Sequence, residues 1–322
     1  MKKILVTGGA GYIGSKICYD LTDLGYKVFI VDNLITGHKK LINKRAKFYL
    51  CDILDYKQLN EIIKKNHITD IIHLAASLDV EESSKNPLKY FINNVEGTEN
   101  LLKASVDNNV KNFIFSSTCA VYGNIKANSV NEKSPTVPIS YYGKTKLLCE
   151  LLIKDYSSKY KFSSTILRYF NVGGADESLR TGCINNKGQL LKRLAELFIK
   201  KNLIKFEVYG NDYPTPDGSC VRDFIHVSDL SKIHIFFLNK KNKNNLILNC
   251  GNGKGYSVIQ IAKTFEKICK KKINIFYKKR RLGDIDYIIS NTSFLKKNFS
   301  NLNIKKNLDE IIKSTIAWEK SL

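Results

Sequence analysis

Short apolar runs alternate with longer amphipathic segments through the first half of the chain. Continuous apolar runs are typical of parallel strands buried on both faces, and the segments between them carry apolar residues at helical spacing. Ile13, Ile17, Leu21 and Leu24 show this spacing after the first run. The pattern predicts strands at residues 3–7, 28–31, 47–50, 70–74, 111–116 and 164–169, and helices at 12–24, 56–65, 87–107 and 142–159.

Alternating strands and helices predict a doubly wound parallel sheet of the Rossmann type, in the α/β class. The alternation breaks from about residue 172, where Gly, Asp, Asn and Pro become frequent. We therefore predict a nucleotide-binding domain at 1–171 and a smaller C-terminal α/β substrate domain at 172–322. Some segments after residue 220 are expected to return to the first domain.

Three glycines follow the first predicted strand. Gly8, Gly11 and Gly14 lie between that strand and a predicted helix. Glycine lets the backbone turn tightly and approach a pyrophosphate, and the first amides of the helix point at the anion. A glycine cluster alone is weak evidence, but its position between a strand and a helix favours a dinucleotide site.

Carboxylates close the second and third predicted strands. Asp32 lies 18 residues after Gly14, where a carboxylate can accept both hydroxyls of the adenosine ribose and would repel a 2′-phosphate. The sequence therefore predicts NAD rather than NADP. Asp52 is expected to reach the adenine amino group. The small residues Ala75 and Ala76 follow the fourth strand, where the cofactor must pass close to the backbone.

Tyr142 and Lys146 stand at i and i+4 of a predicted helix, so both side chains project from one face. A free tyrosine has a pKa of about 10, and a nearby lysine and a positive nicotinamide both favour the phenolate. Tyr142 is therefore the candidate general base, and Lys146 is also expected to hold the nicotinamide ribose. Ser116, Ser117 and Thr118 end the fifth strand, where a hydroxyl can bridge the tyrosine and a substrate.

Composition changes this picture little. The 322 residues carry a net charge of +22, which could attract nucleic acid or a nucleotide diphosphate. Only seven of the 52 basic residues are arginine, and asparagine and isoleucine are abundant, as in AT-rich coding. We therefore attribute the charge to base composition and expect no nucleic-acid partner.

Eight scattered cysteines without a C-x-x-C pair predict neither a metal site nor disulfides. No apolar run reaches about 18 residues, and we expect a cytoplasmic protein without a membrane span.

These motifs resemble those of the extended short-chain dehydrogenases/reductases. Within that family they are similar to the nucleotide-sugar 4-epimerases that interconvert UDP-glucose and UDP-galactose. The resemblance extends from Lys3 to about Trp318. Its motifs lie at residues 7–15, 31–34, 93–98, 115–123, 142–146, 167–171, 210–215 and 221–227, the last two being the more family-specific.

The resemblance implies that Tyr142 takes the proton of the sugar 4-hydroxyl while tightly held NAD takes and returns the C4 hydride. The catalytic residues are then Tyr142, Lys146 and Thr118. The implied cofactor-binding residues are Gly8, Gly11, Tyr12, Ile13, Gly14, Asp32, Asn33, Asp52, Ile53, Leu74, Ala75, Ala76, Asn94, Ser116, Tyr142, Lys146 and Tyr169. The implied residues for the UDP-sugar are Thr118, Tyr142, Asn171, Leu190, Tyr209, Arg222, Arg281, Asp284 and Ile288.

Ile288 aligns with the position that controls sugar size in this family. A tyrosine there restricts relatives to glucose and galactose, whereas a smaller residue accompanies acceptance of the N-acetylated sugars. We therefore expect UDP-GlcNAc and UDP-GalNAc as further substrates. The resemblance also implies a homodimer, formed by the helices near 87–107 and 142–159.

Other activities are compatible with parts of this pattern. A 4-epimerase for UDP-pentoses or UDP-uronic acids would carry the same motifs. A 4,6-dehydratase is disfavoured because those enzymes place Asp-Glu after the threonine, whereas Cys119-Ala120 follows Thr118 here. A non-catalytic NAD-sensing protein is disfavoured because Tyr142, Lys146 and Thr118 are all present. A nucleic-acid-binding protein rests on charge alone.

Overall fold

The central sheet of the molecule contains seven parallel strands. A computed structural model describes residues 2–125, 127, 129–185, 189–200, 203–240, 245–281 and 283–322. Its strands are β1 Lys3–Thr7, β2 Lys27–Asp32, β3 Lys47–Leu50, β4 Asp70–His73, β5 Asn112–Thr118, β6 Ser163–Tyr169, β7 Asn171–Gly173, β8 Ile204–Tyr209, β9 Val221–His226, β10 Leu246–Cys250, β11 Gly255–Ser257, β12 Ile273–Lys278 and β13 Tyr287–Ile288. The order in the central sheet is β10-β6-β5-β4-β1-β2-β3, and the predicted doubly wound α/β fold is confirmed.

Helices cover both faces of this sheet. They are α1 Tyr12–Asp23, α2 Tyr56–Asn66, α3 Val80–Lys85, α4 Pro87–Tyr90, α5 Gly97–Asp107, α6 Tyr141–Tyr160, α7 Leu190–Lys200, α8 Val227–Asn239, α9 Val258–Cys269, α10 Ser293–Asn298 and α11 Leu308–Ser321. The ends of α1, α2 and α6 lie within one residue of the predicted ends. In α1 and α2 an apolar stripe at helical spacing marks the buried face.

The sheet separates two apolar layers, since successive side chains of a strand point to opposite faces. Ile4 and Leu167 pack in the layer that includes α1 and α8. Leu5, Phe113 and Phe115 pack in the layer that includes α2, α5 and α6. Strands buried on both faces need apolar side chains at every position, which is why they form continuous apolar runs in the sequence.

The helix predicted at 87–107 is interrupted. A π-helical turn at Phe91–Glu96 separates α4 from α5. The carbonyl of Asn94 accepts hydrogen bonds from the Thr98 hydroxyl at 2.5 Å and the Cys149 thiol at 3.2 Å. Side chains thus satisfy a backbone group within the widened turn, and local periodicity does not reveal such long-range partners.

Strand β10 returns to the central sheet from the second half of the chain. Leu246–Cys250 pairs in parallel with Thr165–Tyr169 of β6, and α8 packs against α1. The sequence pattern did not predict this strand. Its five residues are a weak signal alone, and only pairing with β6, about 80 residues earlier, gives them a sheet position.

The chain after residue 170 builds two smaller sheets. Strand β9 pairs with β7, β11 and β13, and β8 pairs in parallel with β12. The apolar side chains of α7, α9 and α11 form a separate core, which includes Leu194, Phe198 and Phe265. Within the described residues, the longest and most apolar helices fall short of what a membrane crossing requires.

Candidate active site

The glycine loop brings β1, β4 and the start of α1 into close contact. Gly8 has φ +71°, and a Cβ there would lie 2.8 Å from the Ala75 amide nitrogen. A Cβ on Gly14 would overlap the Gly8 carbonyl. Gly11 caps α1 without a side chain, and the first turn carries no acidic residue. The first amides of α1 are therefore left to an anion, as a dinucleotide pyrophosphate requires.

Asp32 is fixed at the end of β2 by the neighbouring backbone. Its carboxylate accepts from the Ala10 amide at 3.0 Å and the Leu34 amide at 2.9 Å. Burial raises the pKa of Asp32, and these two hydrogen bonds act in the opposite direction. A Cβ on Gly37 would lie 2.6 Å from Oδ1 of Asp32, so this glycine keeps the loop close to the carboxylate.

The other predicted adenosine contacts cluster around Asp52. The Asn33 amide donates to Asp52 Oδ2 at 2.8 Å, and the Leu54 amide donates to Oδ1 at 2.9 Å. Ile53 packs against Gly97 at the start of α5, where a Cβ would meet the Ile53 side chain. The structure thus brings the ends of β2 and β3 together on one side of the glycine loop.

Asn94 links three segments around the predicted nicotinamide side. Its amide exchanges hydrogen bonds with the Ser77 backbone at 2.8 and 3.1 Å and donates to the Thr145 hydroxyl at 3.1 Å. Leu74 and Ala76 lie in the same connection after β4. Asn94 therefore holds this connection against α6, a role that the sequence did not suggest.

Tyr12, at the start of α1, reaches towards the second half of the chain. Its hydroxyl donates to the Gly174 carbonyl at 2.5 Å. The next residue, Ile13, packs against the apolar layer beneath α1. Both side chains point away from the glycine loop, so their backbone amides are the groups left to face a bound pyrophosphate.

Tyr142 and Thr118 meet at the carboxyl end of β5. Helix α6 begins one residue before Tyr142, and its cap is Ser140, whose hydroxyl accepts from the Gly143 amide at 3.1 Å. Burial raises the pKa of Tyr142 above its usual value, while a hydrogen bond with Thr118 acts in the opposite direction. Loss of solvation around the phenolate thus outweighs the hydrogen bond, and the predicted effect of a positive nicotinamide applies once NAD is bound.

Lys146 is a buried ammonium below this pair. It is 1% exposed, donates to the Ser116 carbonyl at 2.8 Å and lies 4.7 Å from the centre of the Phe115 ring. Burial lowers the pKa of Lys146 to about 8. Across the described parts of the chain, the structure shows no carboxylate within ion-pair distance of Lys146.

Tyr169 lies beside the same strand end, on the neighbouring β6. Its hydroxyl and Nε2 of His234 are 2.6 Å apart, and a hydrogen bond with Ser116 also reaches the phenol. Burial raises the pKa of Tyr169 well above its usual value. Burial thus favours the neutral phenol of Tyr169, which packs at the end of β6.

Five of the predicted sugar-nucleotide residues form two groups. Arg222 and Asp284 form an ion pair at 3.7 Å, and Ile288 of β13 stands opposite Arg222 of β9 in register. The Arg281 guanidinium lies 3.8 Å from the centre of the Tyr209 ring. Two further residues begin elements, Asn171 at the start of β7 and Leu190 at the start of α7.

Asp223 organises the strand that carries Arg222, and sequence reasoning missed it. Its buried carboxylate accepts from the amides of Asn252 at 2.8 Å, Gly253 at 2.9 Å and Ser290 at 3.1 Å. These bonds hold the connection after β10 and the residues just beyond β13 against β9. The partners are 29 to 67 residues away, so no local spacing indicates them.

Comparison with known proteins fits this geometry. Residues 4–251 match the model of the NAD dependent epimerase/dehydratase family. The chain belongs to this family. The UDP-glucose 4-epimerase of Azospirillum brasilense is 35% identical over 322 residues, which cover 99% of this chain and 92% of that protein.

Two solved structures show the same fold over the full length. The UDP-glucose 4-epimerase of Bifidobacterium longum, in complex with NAD⁺ and UDP, has a TM-score of 0.94 and 33% identity, covering 99% of this chain and 98% of that one. The UDP-Glc/GlcNAc 4-epimerase of Campylobacter jejuni has a TM-score of 0.84 and 37% identity, covering 100% of both chains. Family membership confirms the predicted resemblance and NAD as the cofactor.

Asp32→Asn should weaken NAD binding by about 10- to 100-fold. The substitution removes a charged acceptor, and hydrogen bonds to charged groups contribute about 1.5–3 kcal/mol. The dissociation constant of NAD from protein stripped of cofactor measures the effect. Asp155→Asn, at an exposed site on α6, is the control. Equal NAD affinity of Asp32→Asn and the unaltered protein would contradict the assignment.

Proposed function

We propose that the chain interconverts UDP-glucose and UDP-galactose at C4 of the sugar, using bound NAD. The observation that carries this proposal is the meeting of Tyr142 and Thr118 at the end of β5, beside the glycine loop. The named relatives are UDP-glucose 4-epimerases. The proposal assigns the cofactor to residues 1–171, most substrate contacts to residues 172–322, and the protein to the cytoplasm.

In this proposal the proton and the hydride at C4 leave separately. Bound NAD supplies a hydride acceptor that returns the hydride to C4. Tyr142 Oη receives the proton of the sugar 4-hydroxyl and gives it back when the hydride returns to the opposite face. The Thr118 hydroxyl bridges Tyr142 and the sugar oxygen, so that the proton moves along a short hydrogen-bonded path.

Lys146 supports this proton transfer electrostatically. The phenolate of Tyr142 is disfavoured by burial, and a positive charge one helical turn away on the same face stabilises it. With a pKa of about 8, Lys146 is charged at neutral pH and loses its charge as the pH rises through that value. Activity should therefore fall on the alkaline side.

Arginines of the second half are assigned to the diphosphate. A guanidinium matches phosphate oxygens with two parallel hydrogen bonds. Arg222 is 15% exposed at its side chain and oriented by Asp284, whereas Arg281 stacks on Tyr209. The proposal places the uracil against Tyr209 and completes the nucleotide site with Asn171 and Leu190.

A 4,6-dehydratase needs an acid and a base directly after the threonine, and this chain carries neither at those positions. Cys119 and Ala120 occupy the two positions after Thr118. Burial raises the pKa of the Cys119 thiol to about 12, so it stays protonated near neutral pH and cannot serve as a base. Ala120 has no ionisable group. These residues support epimerisation without elimination of water.

The size of residue 288 supports activity on N-acetylated sugars as well. Ile288 is 3% exposed and packs with Val121 and Tyr122, which follow Thr118 closely. Its register partner is Arg222, which the proposal assigns to the diphosphate. One of the relatives similar to this chain is named a UDP-Glc/GlcNAc 4-epimerase.

We also propose a homodimer formed by the outer face of α6 and the helical segment near residues 87–107 that packs against it. Leu148 and Leu151 of α6 are 42% and 48% exposed, and Leu88 and Phe91 are 68% and 42% exposed. Exposed apolar side chains gathered on adjacent helices favour association with a second copy.

Tyr142→Phe should lower kcat for UDP-galactose by about 10²- to 10⁴-fold, because it removes only the oxygen that carries the proton. The protein should keep its NAD, which acid release and absorbance can measure. Tyr141→Phe, at the exposed neighbouring position, should turn over normally. Undiminished turnover by Tyr142→Phe would exclude this tyrosine as the base.

Ile288→Tyr should lower kcat/KM for UDP-GalNAc by about tenfold or more and leave UDP-galactose within a few-fold. The larger ring fills the space that the N-acetyl group needs. Initial rates with both substrates measure the ratio, and Ile288→Val is the control for repacking. If Ile288→Tyr lowers both rates equally, residue 288 does not select the sugar.

Leu151→Glu should convert the dimer into a monomer, because it places a charge at the centre of the apolar face. Sedimentation equilibrium measures the mass in solution. Leu24→Glu is the matched control, since Leu24 is 61% exposed at the end of α1. A dimer that persists in Leu151→Glu would show that another surface forms it.

A further inference from the structure

We propose that Glu150 is a positioning residue for the reaction, which keeps Lys146 charged and holds α6 against β5. This inference rests on the proposed function. Glu150 stands one helical turn beyond Lys146 and two beyond Tyr142, so the three side chains share one face of α6. Glu150 and Lys146 are each 1% exposed.

The Glu150 carboxylate is held by two strands at once. Its Oε1 accepts from the Ser117 hydroxyl at 2.5 Å and from Arg168 Nε at 2.9 Å, and its Oε2 accepts from Arg168 Nη2 at 2.6 Å. Ser117 of β5 and Arg168 of β6 are register partners. Because Ser117 directly precedes Thr118, this clamp ties α6 to the strand end that carries the catalytic hydroxyl.

The clamp continues towards the sugar side of the site. Arg168 Nη1 donates to the Tyr122 hydroxyl at 3.0 Å, which donates to Asn249 Oδ1 at 2.7 Å. The Asn249 amide donates to the Val130 carbonyl at 2.9 Å, and Val130 forms a β-bridge with Ser290. A buried polar network thus connects α6 with the residues that follow β13.

Among the described titratable groups near Lys146, Glu150 supplies the negative charge. Burial raises the pKa of the Tyr142 phenol and the Cys149 thiol on α6, so both are neutral near pH 7. On β4, burial lowers the pKa of His73 to about 3, and the positive charge of Lys146 adds to this. Among the described residues facing Lys146, Glu150 therefore carries the negative charge.

Removing this charge favours the neutral amine of Lys146. Burial already lowers the pKa of Lys146, while the negative charge of Glu150 acts in the opposite direction. The positive charge of Arg168 on β6 stays close to α6 when Glu150 is neutralised. An electrostatic role therefore predicts a shift in the titration of Lys146, which a role in packing alone does not.

The experiment compares unaltered protein, Glu150→Gln and Glu99→Gln, all loaded with NAD. Glu99 forms an exposed ion pair with Lys103 on α5, so its variant is the control. NMR of protein labelled at the lysine ε-carbon follows Lys146, whose signal is assigned by its loss in Lys146→Arg. For Glu150→Gln we expect the midpoint of the Lys146 titration to fall by roughly one pH unit. The alkaline limb of kcat for UDP-galactose should move by the same amount.

A double variant keeps the test decisive if Glu150→Gln does not fold. Glu150→Leu with Arg168→Met leaves no unpaired buried charge, and such replacements are often tolerated. The double variant also removes the positive charge of Arg168, so its Lys146 midpoint should fall by less than in Glu150→Gln. An unchanged midpoint in Glu150→Gln, or a midpoint in the double variant at or above that of the unaltered protein, would overturn the proposal. Absence of turnover by the unaltered protein would contradict the proposed function instead, and the NMR midpoint would still decide the role of Glu150.

Discussion

The buried ammonium of Lys146 is the constraint around which the site is built. Removing a charge from water is costly, and a buried lysine without a close carboxylate tends to lose its proton. Here the Ser116 carbonyl and the Phe115 ring face the ammonium, and its pKa stays at about 8. The group is thus charged at neutral pH, yet stabilised less than a full ion pair would stabilise it.

This partial stabilisation of the Lys146 ammonium suits a site in which a negative charge develops on Tyr142. A carboxylate in contact with Lys146 would neutralise the field that the Tyr142 phenolate needs. A lysine exposed to water would be screened and would contribute little. The arrangement requires α6 to lie firmly across the end of β5, and the parallel pairing of β5 with β4 and β6 supplies the support. Strand ends gathered at one edge then bring the glycine loop and the catalytic hydroxyl together.

The sequence predicted the parts of this molecule whose signal is local. Gly8 and Gly14 mark close backbone approaches, and Tyr142 and Lys146 share a helix face, so spacing alone identifies them. Most strands before residue 170 are buried on both faces and stand out as apolar runs, whereas the edge strand β3 is partly exposed. The same local residues predicted the NAD cofactor, and the family resemblance extended the prediction to the reaction and the UDP-sugar.

The features that were missed depend on contacts between distant residues. Strand β10 gains its place only through pairing with β6. The π-helical turn depends on Cys149, which donates to the Asn94 carbonyl across 55 residues. Asp223 collects amides from separate connections. The burial that raises the pKa of Tyr142 is likewise a property of the assembled site, which residue spacing does not reveal.

The most direct test of the account follows the hydrogen at C4. UDP-galactose carrying deuterium at C4 would be incubated in ordinary water with the purified protein and no added NAD. We expect UDP-glucose that retains the deuterium at C4, because the hydride leaves and returns within one closed site while only the hydroxyl proton passes through Tyr142. Epimerised product in which the deuterium has been exchanged for solvent hydrogen would contradict it.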